Sequence, residues 1–211
     1  MTAPELASRL RLVAITNRLI TRGNFEDITR KLIDGGVTAV MLRERDLSPA
    51  NLYQQAVRLA PLCREAGITF LLHNSLEVAL AAGADGVHLG HGSIPPARVR
   101  ALAPPPFIVG YSAHSEMEIE RATQWGMDYC TLSPVFYPTS KEISNPMLGL
   151  EGFARIAAQT PMPLVALGGI APSNARACIE AGAVGVAAIG TLYGAEDPRG
   201  AAAALIQAIA G

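Results

Sequence analysis

The chain has 211 residues, of which half are hydrophobic and only 17% charged, with a formal net charge of −1. That balance excludes a disordered chain, and without a run of Lys or Arg there is no basic stripe for nucleic acid. Cys63, Cys130 and Cys178 are odd in number, far apart and lack a CxxC pair, which excludes a disulfide framework and a zinc site. The opening MTAPELASRLRLVAIT lacks the apolar core of a signal peptide. No apolar stretch reaches the roughly 18 residues of a membrane span. The expected setting is the cytoplasm, with neither a membrane nor a nucleic acid as partner.

In chain order, short apolar runs predict strands at 12–16, 38–42, 69–72, 86–89, 107–111, 129–132, 164–167 and 185–189. Segments of helical period lie between them, at 24–35, 48–65, 75–83, 96–102, 115–126, 149–159, 172–181 and 197–210. Ser48-Pro49, Ser115 and Pro172-Ser173 are helix-entry signals. A weak repeat recurs in Gly-Gly-Val-Thr-Ala-Val at 35–40, Gly-Ala-Asp-Gly-Val at 83–87, Gly-Met-Asp-Tyr-Cys at 126–130 and Gly-Ala-Val-Gly-Val at 182–186. Each copy ends a helix and opens a strand, and its leading Gly suits a helix C-terminus with positive φ. Eight such alternations in about 200 residues predict an α/β protein, a single (β/α)₈ TIM barrel occupying 1–211 as one domain. The competing architecture is an open doubly wound sheet, with ligand at its switch point. The longest irregular segment is 133–148.

In a barrel the βα loops build the site and the αβ loops serve stability, which sorts the polar residues. Asp85 and Asp128 precede strands and belong to the structural face. Arg43, Glu44 and Arg45, Asn74 and Ser75, His91 and Ser93, Ser112 and His114, Lys141, Gly168-Gly169 and Gly190-Thr191 all follow strands and face the mouth. The last two pairs occupy the loops that commonly cradle phosphate, where glycine admits close backbone approach; alternatively they only make tight turns. Arg43 and Arg45 suit a carboxylate or phosphate, or else form rim salt bridges, one of them to Glu44. His114 is the candidate for proton transfer, because imidazole titrates near neutrality. His88 lies within a strand and is expected to be packed or hydrogen-bonded inside the barrel. His73 and His91 have no acidic companion at a strand end, so no dedicated metal site is expected.

Several segments carry a family resemblance. They are Leu42-Arg43-Glu44-Arg45, Asn74, Ala84-Asp85-Gly86-Val87-His88-Leu89-Gly90, Gly110-Tyr111-Ser112-Ala113-His114-Ser115, Pro134-Val135-Phe136, Pro138-Thr139-Ser140-Lys141, Gly149-Leu150-Glu151 and Ala166-Leu167-Gly168-Gly169-Ile170. Over nearly its whole length the chain resembles the thiamine-phosphate synthase and TenI superfamily of barrels. The resemblance implies one of two chemistries. Synthases couple a pyrimidine pyrophosphate to a thiazole phosphate, with Mg²⁺ neutralising the leaving pyrophosphate. Two aspartates hold that metal, in Asn-Asp after the third strand and Gly-Gln-x-Asp after the fourth. Here the matching positions read Asn74-Ser75 and Gly90-His91-Gly92-Ser93, without either carboxylate. The synthase motif after the second strand resembles Gln, then Phe or Leu, then Arg-x-Lys, where this chain has Met41-Leu42-Arg43-Glu44-Arg45. Arg-Glu-Arg and Gly92-Ser93 look like TenI proteins, which are thiazole tautomerases.

The resemblance therefore leads to an expected TenI-like tautomerase, an isomerase that aromatises a carboxythiazole phosphate tautomer by proton transfer without a metal or other cofactor. In that reading His114 moves the proton and Ser112 orients it. Gly168, Gly169, Gly190 and Thr191 hold the phosphate of the phosphorylated thiazole, Asn74 contacts substrate, and Arg43 with Lys141 or Arg45 takes the carboxylate. The alternative is a Mg²⁺-dependent thiamine-phosphate synthase; a second is a non-catalytic binder of a thiamine-pathway phosphate. The alanine-rich last helix, 200–208, is available for a homodimer.

Overall fold

A computed structural model describes residues 1–137 and 146–210. Its eight strands are β1 (Leu12–Ile15), β2 (Ala39–Leu42), β3 (Thr69–His73), β4 (Gly86–Leu89), β5 (Ile108–Ala113), β6 (Tyr129–Leu132), β7 (Leu164–Leu167) and β8 (Gly185–Ala188). They pair in parallel in chain order, and β8 closes on β1. The chain is thus a closed (β/α)₈ barrel and not an open sheet. Helix α1 (Ala3–Arg9) precedes the barrel. The crossovers are α2 (Phe25–Asp34), α3 (Pro49–Glu65), α4 (Leu76–Ala81), α5 (Pro96–Leu102), α6 (Glu116–Gln124), α7 (Gly149–Ala157) and α8 (Pro172–Glu180). After β8 come α9 (Gly190–Tyr193) and α10 (Pro198–Ala210).

Parallel strands covered by helices are buried on both faces, so they read as continuous apolar runs rather than alternating ones. The two faces nevertheless have separate jobs. Outward side chains such as Val40, Leu72, Val109 and Val186 pack under the helices in the larger core. The inward set is Val13, Ile15, Ala39, Met41, Leu71, Ile108, Tyr129, Val165 and Ala187. Leu6 and Leu10 join this inner cluster, so α1 plugs the floor of the barrel. Helix α1 was not among the expected elements, although its signal is in the sequence. Thr2 and Glu5 form a capping box around Pro4, which occupies the first turn.

Half of the predicted boundaries hold, and the others shift by one or two residues. The consequential shift is at β5, which runs to Ala113 and pairs Ser112 with Thr131. Ser112 is therefore a strand residue facing the interior, not a loop residue. The glycine repeat has its positive φ at Gly36, Gly83, Gly126 and Gly182, at 101°, 65°, 72° and 101°. In the first copy this is the second glycine, not the leading one. Gly35 is needed for a different reason: a Cβ there would lie 2.7 Å from the Cβ of Ala202 on α10.

The αβ face is structural, as expected. Asp85 accepts from the Phe70 amide at 2.8 Å, and Asp128 accepts from the Val109 amide at 2.7 Å while pairing with Arg100. Helix α10 packs on α2 and α8 of the same chain, burying Ala202, Leu205 and Ile209. Among the described residues no helix is long and apolar enough to cross a membrane.

Leu10 is completely buried between α1 and the barrel floor. Leu10→Ala is expected to destabilise the protein by about 2–5 kcal/mol, the usual cost of emptying a well-packed leucine site. The expected signature in urea is a lower midpoint at unchanged m-value.

Candidate active site

Side chains alternate across a strand, so stepping by two from the inward apolar residues leads to the polar upper interior. Met41 leads to Arg43, Leu71 to His73, Ile108 to Gly110, Ser112 and His114, and Tyr129 to Thr131 and Ser133. The site is thus the upper end of the barrel interior, assembled by register.

Arg43 is half-buried, and its amide donates to Thr16 Oγ1 at 2.9 Å. Burial and the neighbouring Arg45 lower its pKa from the ordinary arginine value, while Glu44 opposes the shift. Arg45 is exposed. Neither arginine takes part in an ion pair among the described residues. The rim salt bridge to Glu44 does not form, because that carboxylate turns the other way. It is 6% exposed, accepts from Thr16 Oγ1 at 2.6 Å, and accepts from the Arg18 amide at 3.1 Å with each oxygen. Glu44 therefore fastens the loop after β1 to the end of β2 and leaves both guanidiniums free for an anion.

Asn74 has φ 63°, a left-handed conformation that asparagine tolerates better than most residues. Its Oδ1 accepts from the Gly90 amide at 2.6 Å and so ties together the ends of β3 and β4. His73, set aside in the sequence, sits beside it at the end of β3. Burial, followed by Arg43 and Arg45, pushes its pKa down to about 3, so the imidazole is neutral. A Cβ at Gly90 would approach His73 Nε2 to 3.1 Å, so a larger residue there would require the imidazole to give way.

On the opposite wall, His114 Nδ1 donates to the Ser133 carbonyl at 2.7 Å. Its amide donates to Glu118 at 2.6 Å. The Nδ1 contact fixes the proton there in the neutral ring and leaves Nε2 as an acceptor. Ser112 Oγ meets His88 Nε2 at 3.0 Å. His88 is hydrogen-bonded within the barrel, as expected.

The loops after β7 and β8 complete the mouth. Thr191 Oγ1 donates to the Ile170 carbonyl at 2.6 Å and joins them. Gly168 and Gly169 have φ 102° and 64°, and a Cβ on either would strike the loop after β6, at Pro134 (2.8 Å) and at the Tyr137 carbonyl (2.6 Å). Those glycines are thus required by loop packing whatever they bind. The amides of Gly169, Ile170, Gly190 and Thr191 donate to no backbone acceptor among the described residues. Unpaired donors of this kind on two joined loops suit an oxyanion. Lys141 lies outside the described residues.

The structure thus places Arg43, Asn74, Ser112, His114 and the two glycine loops around one mouth, with Arg45 at its exposed rim. His73, His88, Tyr129 and Thr131 were missed as members of the site. Their signal was parity with inward apolar residues, which is readable only once strand ends are known.

A protein-family model for thiamine monophosphate synthase matches residues 12–192. The chain is 38% identical to the thiamine-phosphate synthase of Albidiferax ferrireducens over 201 residues, 95% of this chain and 92% of that one. It is 39% identical to the thiamine-phosphate synthase of Methanoculleus marisnigri, covering 94% and 95% of the two chains. Among solved structures, the thiamine phosphate pyrophosphorylase of Pyrococcus furiosus superposes with a TM-score of 0.89 at 33% identity, over 97% of this chain and 98% of that one. A 3-hexulose-6-phosphate synthase, at 17% identity and a TM-score of 0.68, shares the fold alone. These likenesses overturn the expected tautomerase. That expectation rests on two missing carboxylates, which concern metal chelation and not the bond that is formed, and on the short segments Arg43-Glu44-Arg45 and Gly92-Ser93, whereas the named relatives match along nearly the whole chain. The family match and the relatives lead to one statement: this chain belongs to the thiamine monophosphate synthase family, a family of thiamine-biosynthesis enzymes.

Proposed function

We propose that the chain is a thiamine-phosphate synthase, which joins a pyrimidine pyrophosphate to a thiazole phosphate. The observation that carries this reading is 36–39% identity to relatives of that name, across 93% or more of this chain in most of them. In the coupling, the thiazole nitrogen forms a bond to the pyrimidine's methylene carbon. The carbon–oxygen bond to pyrophosphate breaks, and pyrophosphate leaves with the electron pair.

The mouth supplies what such a step needs. The unpaired amides of Gly169, Ile170, Gly190 and Thr191 hold the thiazole phosphate. Arg43, with Arg45 at the rim, takes the pyrophosphate. Arg43 is the stronger of these, because a half-buried guanidinium without a carboxylate partner among the described residues gains most from an incoming anion. Asn74 holds the β3 and β4 ends in place beneath it. His114 offers an acceptor nitrogen. The coupling moves no proton between carbons, so His114 binds and orients in this reading.

Magnesium is the metal the family implies. The side chains that the ends of β3 and β4 present are Asn74, Ser75, His91 and Ser93, whereas Mg²⁺ is usually held through carboxylate oxygens. Glu44 is spent on Thr16 and Arg18. Among the described residues no group of three His, Cys, Asp or Glu is placed to hold a metal. The residues present do not fit a protein-chelated Mg²⁺, and the charge of the pyrophosphate is assigned here to arginine.

The first test supplies both substrates to the purified protein, with Mg²⁺ and with EDTA, and follows thiamine phosphate. Formation of that product is expected; tight binding of both substrates without turnover would leave a binding protein instead. Arg43→Ala is expected to weaken inorganic pyrophosphate about 10–100-fold by calorimetry in EDTA, the worth of one charge-assisted contact. Equal affinity in the variant would remove Arg43 from the site. His114→Ala should cost about tenfold in kcat/KM, as for one lost hydrogen bond. A loss beyond about 10²-fold in kcat would restore acid–base catalysis at His114.

A further inference from the structure

A polar chain runs upward through the barrel interior from its apolar floor. Tyr129, completely buried, has its ring among Leu6, Leu10, Val13, Ile108 and Val165. Its hydroxyl meets His88 Nδ1 at 2.9 Å. His88 Nε2 meets Ser112 Oγ at 3.0 Å and Thr131 Oγ1 at 3.2 Å. Ser112 is half-buried at the mouth, and the chain ends there. Gly110 makes the chain possible. A Cβ at that position would overlap the Tyr129 ring and stand 2.6 Å from His88 Nδ1.

This connectivity is that of a nucleophile, a histidine and an orienting group, but it does not activate Ser112. A base must take up a proton. His88 is enclosed, with His73 and Arg43 nearby, and burial, His73 and Arg43 in that order hold its pKa well below the ordinary histidine value. No carboxylate backs it, and the group behind it is a phenol whose own pKa is raised by burial. The imidazole is therefore neutral and carries one proton, on one nitrogen or the other.

Which nitrogen carries it follows from the floor. Among the described residues His88 is the sole hydrogen-bond partner of the Tyr129 hydroxyl. If Nδ1 carried the proton, the phenol would accept it and its own O–H would point into apolar side chains with no acceptor. A buried donor without a partner is the costlier arrangement. With Tyr129 donating to Nδ1, the hydroxyl at the apolar floor is satisfied and the proton sits on Nε2; Thr131, which then only accepts, lies in the polar upper interior. That proton points at Ser112 Oγ, with Thr131 Oγ1 as the second acceptor. The serine oxygen is then already accepting, and its own proton remains free. We propose that Tyr129 locks His88 in the Nε2–H tautomer, and that Ser112 is thereby fixed as a hydrogen-bond donor toward substrate at the barrel mouth. In the opposite tautomer Nε2 would be an acceptor within reach of both Ser112 and Thr131, and the Ser112 proton would no longer be reserved for substrate.

The group that Ser112 reads is an acceptor without a proton, such as an aromatic ring nitrogen or an anionic oxygen. The identity of the substrate rests on the synthase reading; the tautomer does not. His88 and Tyr129 are positioning residues, acting through Ser112.

Long-range ¹H–¹⁵N correlation spectra of the histidine side chains, with His88→Gln used to assign the signal, decide the tautomer in the wild-type protein. A proton on Nε2 that stays there from about pH 5 to about pH 8 is expected. A proton on Nδ1, or a ring that titrates in that range, would overturn the proposal. Tyr129→Phe removes the lock; the variant is expected to redistribute the His88 proton and lower kcat about tenfold, with the KM for thiazole phosphate within about twofold of wild type. Ser112→Ala should show the same split, and it keeps the functional arm open if Tyr129→Phe does not fold. Unchanged kcat in folded Tyr129→Phe and Ser112→Ala would sink the donor role. If the wild-type protein forms no thiamine phosphate at all, the synthase reading fails, while the spectra still decide the tautomer.

Discussion

Closing eight parallel strands into a ring obliges every second side chain to enter an interior that has no edge and no second layer to escape to. Everything about the site follows from how this chain fills that interior. The lower part is apolar and capped by Leu6 and Leu10 of α1. The upper part is polar, and each of its groups must find a partner within the ring or leave a donor or acceptor for a ligand. Glu44 finds its partners in Thr16 and the Arg18 amide. Among the described residues Arg43 and the amides of Gly169, Ile170, Gly190 and Thr191 do not, and these are the groups that the proposed reading assigns to an anionic substrate.

The same constraint explains what could be read from the amino-acid sequence and what could not. The eight strands were legible because parallel strands covered on both faces are unbroken apolar runs bounded by glycine turns. The loop after β2 was legible as a cationic place, since arginines beyond a strand end must lie at the mouth. The rim salt bridge was not foreseeable in either direction. It depends on Thr16 and the Arg18 amide, contributed by another strand and loop, being close enough to claim Glu44 first. Ser112 was assigned to a loop because β5 was ended at 111. Its pairing with Thr131 carries the strand two residues further, and those two residues move the hydroxyl into the interior. Tyr129 read as one more core aromatic. Only the register, which places Gly110 beside it and His88 beyond Gly110, reveals that its hydroxyl has a partner.

Function was the part where residue-by-residue reading gave the wrong weight. The absence of two carboxylates was taken as the signature of a different reaction. Yet a metal ligand and a reaction class are separable properties. What a displacement of pyrophosphate requires is positive charge where negative charge develops, and guanidinium supplies it as readily as a divalent ion does in other sites. Burial first, and then Arg43 and Arg45, keep His73 neutral at the mouth.

Silencing the histidines has a consequence for how the site works. His73 and His88 do not carry charge, and His114 has its Nδ1 proton committed to the Ser133 carbonyl. His88, neutral and held by fixed partners, acts as an oriented dipole and needs no reorganisation when substrate arrives. The two walls of the mouth then differ in character: cationic at Arg43 and Arg45, held by hydrogen bonds at Ser112 and His114. On the proposed synthase reading, an ionic leaving group would meet the first wall and a ring system with defined donors and acceptors the second.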